Sequence, residues 1–174
     1  MLNEFVHGRL GFNAAKQIIP SIKKLISVAR SLNIPIIYIC DSHEHGDYEL
    51  TVWGPHAMKG TKEAEVINEL KPEKSDIIVE KRTYSGFYKT TLEDILKKLN
   101  VDTLILTGVH THICVQHTAA DAFFRGYRLI IPVDCVAAIS EDAHKSSLEY
   151  MKQMYKAELK SSEQLIRKLK GVKI

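Results

Sequence analysis

Cys114 is the residue of this chain whose type and position best suit a nucleophile. It follows the apolar run 103–108, at a point where the sequence predicts a turn into a helix. A thiol becomes reactive when its pKa falls, and a helix N-terminus next to an ammonium group favours the thiolate. Backbone N–H groups at that N-terminus can also bind the oxyanion of a tetrahedral intermediate. The competing interpretation, a small buried hydrophobic side chain, is the one we keep for Cys40 and Cys135.

A loop rich in turn residues gathers carboxylate and imidazole groups that could bind a metal ion. Asp41 and His43 flank one residue, so in an extended chain their side chains point to the same side. His56 can return from the loop to complete a set of two nitrogens and one oxygen, which suits zinc, iron or manganese and leaves positions open for water or substrate. The competing interpretation is a polar surface loop. Three further groups of the loop could substitute as ligands: Glu44, His45 and Asp47.

Asp41, Lys81 and Cys114 are far apart in sequence and can cooperate only if the fold brings them together. Short apolar runs alternate with amphipathic stretches, which predicts a three-layer α/β/α fold with a mostly parallel central sheet. In such sheets ligands bind beyond the carboxyl ends of the strands, where all three residues fall. Lys81 could instead be a solvated strand end, as we expect for Arg82. The predicted strands are 34–40, 76–81, 103–108, 128–133 and a short edge strand at 157–160.

Helical periodicity and capping signals predict the elements between these strands. A helix begins near Pro20 and runs to Ser31, because proline is tolerated only in the first turn. Thr90 followed by Glu93 predicts a capping box that opens a helix ending at Leu99. The remaining predicted helices are 114–125, 140–155 and 161–170.

Length and composition limit the class of protein. The 174 residues suit one domain, 1–174, and with 45% hydrophobic and 26% charged residues the chain is too polar for a membrane span. The net charge of +3 is spread along helices, so neither nucleic acid nor a membrane is an expected partner. Three cysteines without a C-x-x-C spacing do not form a disulfide framework, which favours a reducing cytoplasm.

Three segments together resemble the isochorismatase-like cysteine hydrolases. The segment 107–115, Thr-Gly-Val-His-Thr-His-Ile-Cys-Val, resembles their nucleophile loop, and 80–87, Glu-Lys-Arg-Thr-Tyr-Ser-Gly-Phe, resembles their catalytic-lysine segment. The loop 41–56 is similar to the metal loop of the nicotinamidase branch, also called pyrazinamidases. With Asn3-Glu4-Phe5 the match covers nearly the whole chain in order.

The resemblance implies a role for each matching residue. Cys114 is the nucleophile, and Lys81 is the cation that supports its thiolate and the developing oxyanion. A cis peptide is implied at Val109–His110. The implied metal ligands, which in nicotinamidases hold a metal that binds the pyridine nitrogen, are Asp41, His43 and His56.

The resemblance also indicates residues around the substrate. Trp53 and Tyr84 are expected walls of an aromatic pocket, although either could serve packing alone. Where the family often has a small residue and an acidic one, this chain has His110 and His112. His110 is therefore a candidate for substrate or oxyanion binding, and both imidazoles could change the charge state of the thiol or could face solvent.

The implied activity is a metal-dependent hydrolysis of nicotinamide to nicotinate and ammonia through a thioester. The expected cofactor is one divalent ion, zinc first and iron or manganese next, and the chain is expected to form a homo-oligomer. One alternative is a related hydrolase acting on another small amide, a carbamoyl compound or a vinyl ether. Another alternative, from a different class, is a pseudo-enzyme that keeps the fold as a binding module.

The family's general base is the one expected group that the chain does not provide. The resemblance places an Asp at the end of a first strand, one position before Met1, and Glu4 matches a different acidic position. The sheet is therefore expected to lack its first strand. Because loss of a central strand would leave neighbouring edges unpaired, we expect the natural gene product to begin upstream of Met1.

Overall fold

The computed structural model describes residues 1–171. Within them the strands are β1 Ile37–Asp41, β2 Ile77–Lys81, β3 Thr103–Ile105, β4 Gly108–Val109, β5 Arg128–Pro132, β6 Val136–Ala137 and β7 Glu158–Lys160. The helices are α1 Asn3–Val6, α2 Asn13–Gln17, α3 Ile19–Ser31, α4 Leu50–Trp53, α5 Leu92–Leu99, α6 Gln116–Phe124, α7 Glu141–Tyr155 and α8 Ser162–Leu169. None of these helices is long and apolar enough to cross a membrane.

The strands pair in parallel, as the alternation of elements predicts. β1 lies beside β2 with Asp41 level with Lys81, so the two side chains leave the sheet at the same edge. β5 pairs with β3 on one side and β7 on the other, and β4 pairs with β6 beyond their ends. The carboxyl ends of the parallel strands therefore point toward one edge, which is where such sheets bind ligands.

Helices cover both faces of the sheet and bury it, which confirms the predicted α/β/α layers. Side chains alternate along β5: Ile130 packs with α3 and α8, whereas Leu129 and Ile131 pack with α5, α6 and α7. This alternation follows from the two-residue repeat of a strand. A strand buried on both faces must be apolar throughout, and this is why runs of apolar residues in the sequence predict these strands.

Three local predictions were wrong. The run 103–108 is not one strand, because β3 ends at Ile105 and β4 begins at Gly108. The helix predicted at 114–125 does not begin at Cys114, because Cys114 lies in a wide turn, Thr111–Val115, that precedes α6. The predicted capping box does not form either: the Thr91 side chain at the start of α5 makes no capping hydrogen bond, and the Glu93 carboxylate in the first turn pairs with Lys97 and Arg125.

An apolar slot separates β1 from β3. Neither strand pairs with the other, and between them lies a cavity of about 290 Å³ bordered by both strands and by α3 and α5. Ile37, Ile39, Leu104, Ile105 and Met1 are among the residues that line it.

Candidate active site

The nucleophile loop presents Cys114 in the turn between β4 and α6. The carbonyl of His110 accepts hydrogen bonds from the backbone N–H groups of Ile113 (3.1 Å) and Val115 (3.2 Å), which closes the turn around the half-buried thiol. The Val109–His110 peptide is cis, as the resemblance implies. Cys40 and Cys135 are buried in apolar clusters, which fits the structural role given to both.

Lys81 is buried beside the thiol and is not a solvated strand end. Its Nζ lies 3.7 Å from Cys114 Sγ and donates a hydrogen bond of 2.8 Å to the carbonyl of Thr83. It also forms a close ion pair with Asp41, its neighbour in register on β1. Only 3% of Lys81 is exposed, so its ammonium contacts residues of the site and not bulk water.

The charges in this cluster are set by burial and by the Lys81–Asp41 pair. Burial raises the pKa of the Cys114 thiol, and the Lys81 ammonium opposes that rise. Burial alone would lower the pKa of Lys81, but the charges of Cys114 and Asp41 outweigh it and raise the pKa. The Lys81 ammonium therefore remains protonated at neutral pH, and its charge favours loss of the thiol proton during attack.

Three buried side chains converge in a group suited to a metal ion, namely His43, Glu49 and His56. Their ligand atoms lie within 4.8 Å of one another, with Glu49 Oε1 3.7 Å from His43 Nε2 and 3.5 Å from His56 Nε2. His43 Nε2 and Glu49 Oε2 have no hydrogen-bond partner within residues 1–171, although both are buried. Buried polar atoms rarely remain unpaired, so this donor set fits a divalent cation.

The other ring nitrogen of each histidine is already engaged. His43 Nδ1 lies 3.1 Å from Asp47 Oδ2, and His56 Nδ1 lies 2.9 Å from the carbonyl oxygen of Gly54. Arg82 in turn binds Asp47 and holds the pKa of that carboxyl far below its usual range. These partners orient both Nε2 atoms toward Glu49, which is the usual support of a metal-binding histidine.

The structure separates the predicted metal ligands of the loop into those that join this group and those that have other partners. His43 and His56 join the group, whereas Asp41 forms the ion pair with Lys81 and lies 3.9 Å from His43 Nε2. Asp41 as a direct ligand stays a prediction. Glu44 binds Arg82 at the surface and His45 is exposed, so neither of these alternative ligands lies in the group.

Aromatic rings connect the metal-binding group to the nucleophile loop. Phe5 makes edge contacts with His56 (centroids 6.1 Å apart) and with His110 (6.0 Å), and Phe12 stacks on His110 at 4.7 Å. Burial, followed by the neighbouring His112, lowers the pKa of His110 to about 4, so this ring is neutral at pH 7. A neutral, aromatic wall suits a planar, uncharged group.

Trp53 and Tyr84, the predicted pocket walls, are joined to each other. Trp53 Nε1 donates a hydrogen bond of 2.9 Å to the Tyr84 hydroxyl, and the Tyr84 ring lies 5.3 Å from the ring of His117 on α6. This pair links the metal loop to the segment after β2. Substrate contact by either residue stays a prediction.

Sequence reasoning missed Glu49 and gave Phe5 no role of its own. Glu49 directly precedes α4 and has no fixed spacing from Asp41 or His43, so only its carboxylate chemistry within a histidine-rich loop could have indicated it. Glu4 accepts a hydrogen bond from the backbone N–H of Leu10 at 3.1 Å. This carboxylate therefore fixes the N-terminal turn.

Residues 1–164 match the isochorismatase domain, and the chain belongs to the isochorismatase family. It is 33% identical over 140 residues to enterobactin synthase component B of Escherichia coli (strain K12), covering 78% of this chain and 49% of that protein. The chain thus spans about half the length of that relative. It is 32% identical over 140 residues to nicotinamidase 3 of Arabidopsis thaliana, covering 77% of this chain and 71% of that protein.

Two solved structures extend the comparison. N-carbamoylsarcosine amidase from Thermoplasma acidophilum superposes with a TM-score of 0.89 at 42% identity, covering 94% of this chain and 92% of that chain. The pyrazinamidase of Pyrococcus horikoshii in complex with zinc gives a TM-score of 0.85 at 26% identity, covering 92% and 94%. The fold and family are thus those of isochorismatase-like hydrolases, and the similar proteins come from several branches.

Proposed function

We propose that this chain hydrolyses the carbon–nitrogen bond of a small amide through a thioester on Cys114, with nicotinamide as the first-choice substrate. The observation that carries the proposal is the 3.7 Å contact between Lys81 Nζ and Cys114 Sγ at the carboxyl edge of the sheet. A buried ammonium at this distance stabilises the anion that forms on sulfur when the thiol loses its proton.

The chemistry follows from these two residues. The Cys114 sulfur attacks the amide carbon, and the carbonyl oxygen becomes an oxyanion that Lys81 and backbone N–H groups of the turn can stabilise. Collapse breaks the carbon–nitrogen bond, and the leaving nitrogen takes up the proton that the thiol has lost, so that it departs as ammonia. Water then attacks the thioester, so that the acid is released and the thiol is restored.

His43, Glu49 and His56 are proposed to hold one divalent ion, zinc first among the candidates. When bound, the ion supplies a Lewis acid that can bind a substrate nitrogen and hold the ring in place. Phe5 contacts both His56 of this group and the neutral ring of His110 in the nucleophile loop, so these rings can position a flat substrate. The likeness to a pyrazinamidase in complex with zinc supports this assignment.

A second candidate substrate is an N-carbamoyl compound. The 42% identity to an N-carbamoylsarcosine amidase over 94% of this chain favours it, and the same cysteine chemistry would cleave its carbon–nitrogen bond. A carbamoyl substrate bears no pyridine nitrogen and therefore gains nothing from a metal that binds one. Dependence on the metal separates the two candidates.

The test is ammonia release from nicotinamide and from an N-carbamoyl amino acid, measured with zinc and after chelation. We expect release from nicotinamide that requires zinc, and no release by Cys114→Ala, while Cys135→Ala serves as the matched cysteine control. Release from the carbamoyl compound alone, unaffected by chelation, would favour the second candidate. If neither amide reacts although zinc binds, the amidase proposal fails and the pseudo-enzyme alternative gains support.

A further inference from the structure

We propose that His144, on α7, is a positioning residue: its hydrogen bond to Thr111 holds the turn Thr111–Val115 in the form that favours the Cys114 thiolate. His144 lies 33 positions after Thr111 and outside the segments that resemble the family's active site. Its role in turnover rests on the proposed function. Its effect on the thiol does not, because the reactivity of Cys114 can be measured without a substrate.

Thr111 is the fully buried end of this contact. Within residues 1–171 its hydroxyl has one hydrogen-bond partner, His144 Nδ1, at 2.9 Å. Buried hydroxyl groups are nearly always paired, and leaving one unpaired costs free energy. Without the imidazole, the turn could give this hydroxyl a new partner only by moving.

The contact acts through geometry and not through charge. Burial lowers the pKa of His144, so its ring is neutral at pH 7. A neutral imidazole has one donor nitrogen and one acceptor nitrogen, and a threonine hydroxyl can both donate and accept. Thr111 can therefore pair with Nδ1 in either tautomer of the ring, and no charge on His144 is required.

Helix α7 holds His144 in a fixed position. The Ser140 side chain caps the helix by accepting a hydrogen bond of 3.3 Å from Ala143 N, and His144 N donates one of 3.0 Å to Ser140 O. One turn later, Ser147 Oγ donates to Gln116 Oε1 at 2.5 Å, which joins α7 to α6. A capped helix that is also bonded to its neighbour is a rigid support for a residue of a turn.

The peptide group next to Thr111 carries contacts that act on the thiol. Burial raises the pKa of Cys114, and the Lys81 ammonium and a backbone hydrogen bond from His110 oppose that rise. The His110 carbonyl also accepts the hydrogen bonds that close the turn. Because Thr111 is bonded directly to His110, a change in its backbone angles reorients this planar peptide group. By fixing Thr111, the contact with His144 keeps the stabilising groups beside the sulfur.

The experiment measures the pH dependence of iodoacetamide alkylation at Cys114. Thr111→Val keeps the shape of the side chain but removes the hydroxyl, and His144→Leu removes the ring nitrogen. Each variant should move the midpoint of the profile to higher pH, which corresponds to about 10-fold less thiolate at pH 7. Because both variants remove the same hydrogen bond, the double variant should shift the midpoint no further than either single one.

Conservative variants test whether the hydrogen bond itself is responsible. Thr111→Ser keeps a hydroxyl and His144→Asn keeps a polar group near the position of Nδ1, so both should restore most of the shift. Ser162→Ala is the matched control, because it removes another buried hydrogen bond, 2.5 Å to Asp134, away from the nucleophile. It should leave the midpoint unchanged. If Thr111→Val does not fold, the comparison of His144→Leu with His144→Asn provides the same test.

Turnover gives a second readout. With nicotinamide, Thr111→Val should lower kcat about 10-fold and leave KM nearly unchanged, because the chemical step and not substrate binding is affected. If the parent chain releases no ammonia, the proposed function fails, while alkylation still tests the role of His144. An unchanged midpoint in folded Thr111→Val, or shifts that add in the double variant, would overturn the proposal.

Discussion

Lys81 Nζ lies 3.7 Å from Cys114 Sγ, although 33 positions separate the two residues in the chain. The contact exists because β2 ends at Lys81 and the turn before α6 presents the thiol at the same edge of the sheet. Asp41 fixes the ammonium from the neighbouring strand. A buried cation, a thiol and a carboxylate thereby form one electrostatic unit.

Replacing Lys81 with Met should raise the pKa of the Cys114 thiol further, because the ammonium that opposes the effect of burial is lost. The pH profile of iodoacetamide alkylation at Cys114, followed by peptide mass mapping, measures the shift toward higher pH. Ammonia release should fall about 100-fold or more.

Lys98→Met, at an exposed position on α5, is the control for that experiment and should leave both readouts unchanged. Circular dichroism establishes that Lys81→Met is folded, because removing one partner of a buried ion pair also destabilises a protein. An unchanged alkylation profile in folded Lys81→Met would contradict the role given to this lysine.

Glu49→Gln should weaken zinc binding by at least about 10-fold, because the variant replaces the carboxylate ligand of this group with an uncharged amide. Competition with a chelator, followed by elemental analysis, measures the affinity. Glu44→Gln makes the same carboxylate-to-amide change five positions earlier, where Glu44 forms a surface ion pair with Arg82. This variant should bind zinc normally. Equal losses in the two variants would mean that loop charge, and not ligation, controls the affinity.

The free energy of unfolding should fall as the pH is lowered from about 6.5 toward 4, in part because of His110. Burial lowers the pKa of this residue to about 4 in the folded protein, whereas an unfolded histidine takes up its proton near 6.5. The unfolded chain therefore binds more protons across this window, and stability is lost as the pH falls.

Urea unfolding at pH 7 and pH 5 tests this linkage. His110→Gln should reduce the loss of stability between the two values, whereas His45→Gln, at an exposed position, should not. An equal dependence on pH in the parent chain and in His110→Gln would show that His110 does not titrate in this way.

The meeting of Asp41, Lys81 and Cys114 could be predicted from sequence, because the ends of parallel strands lie at one edge of a sheet. Apolar runs of five residues and helical periodicity are strong local signals, and they located the central strands within a few residues.

Side-chain partners chosen by tertiary contacts could not be predicted in this way. Asp41 has the residue type of a metal ligand, but its register with Lys81 gives it a cation as its nearest partner. Glu49 enters the metal-binding group only because the irregular loop after β1 folds back on itself. Glu93 likewise pairs with cations of α5 and α6 and does not cap a helix, a choice that no local pattern indicates.

The most direct test of the central claim is to trap the covalent intermediate. The chain, loaded with zinc, is mixed with nicotinamide, quenched with acid within one turnover, digested and analysed by mass spectrometry. We predict an added nicotinoyl group on the peptide that contains Cys114, absent from the peptides of Cys40 and Cys135 and absent in Cys114→Ala. Ammonia release by Cys114→Ala at the parent rate, or an acyl group on another residue, would contradict the account.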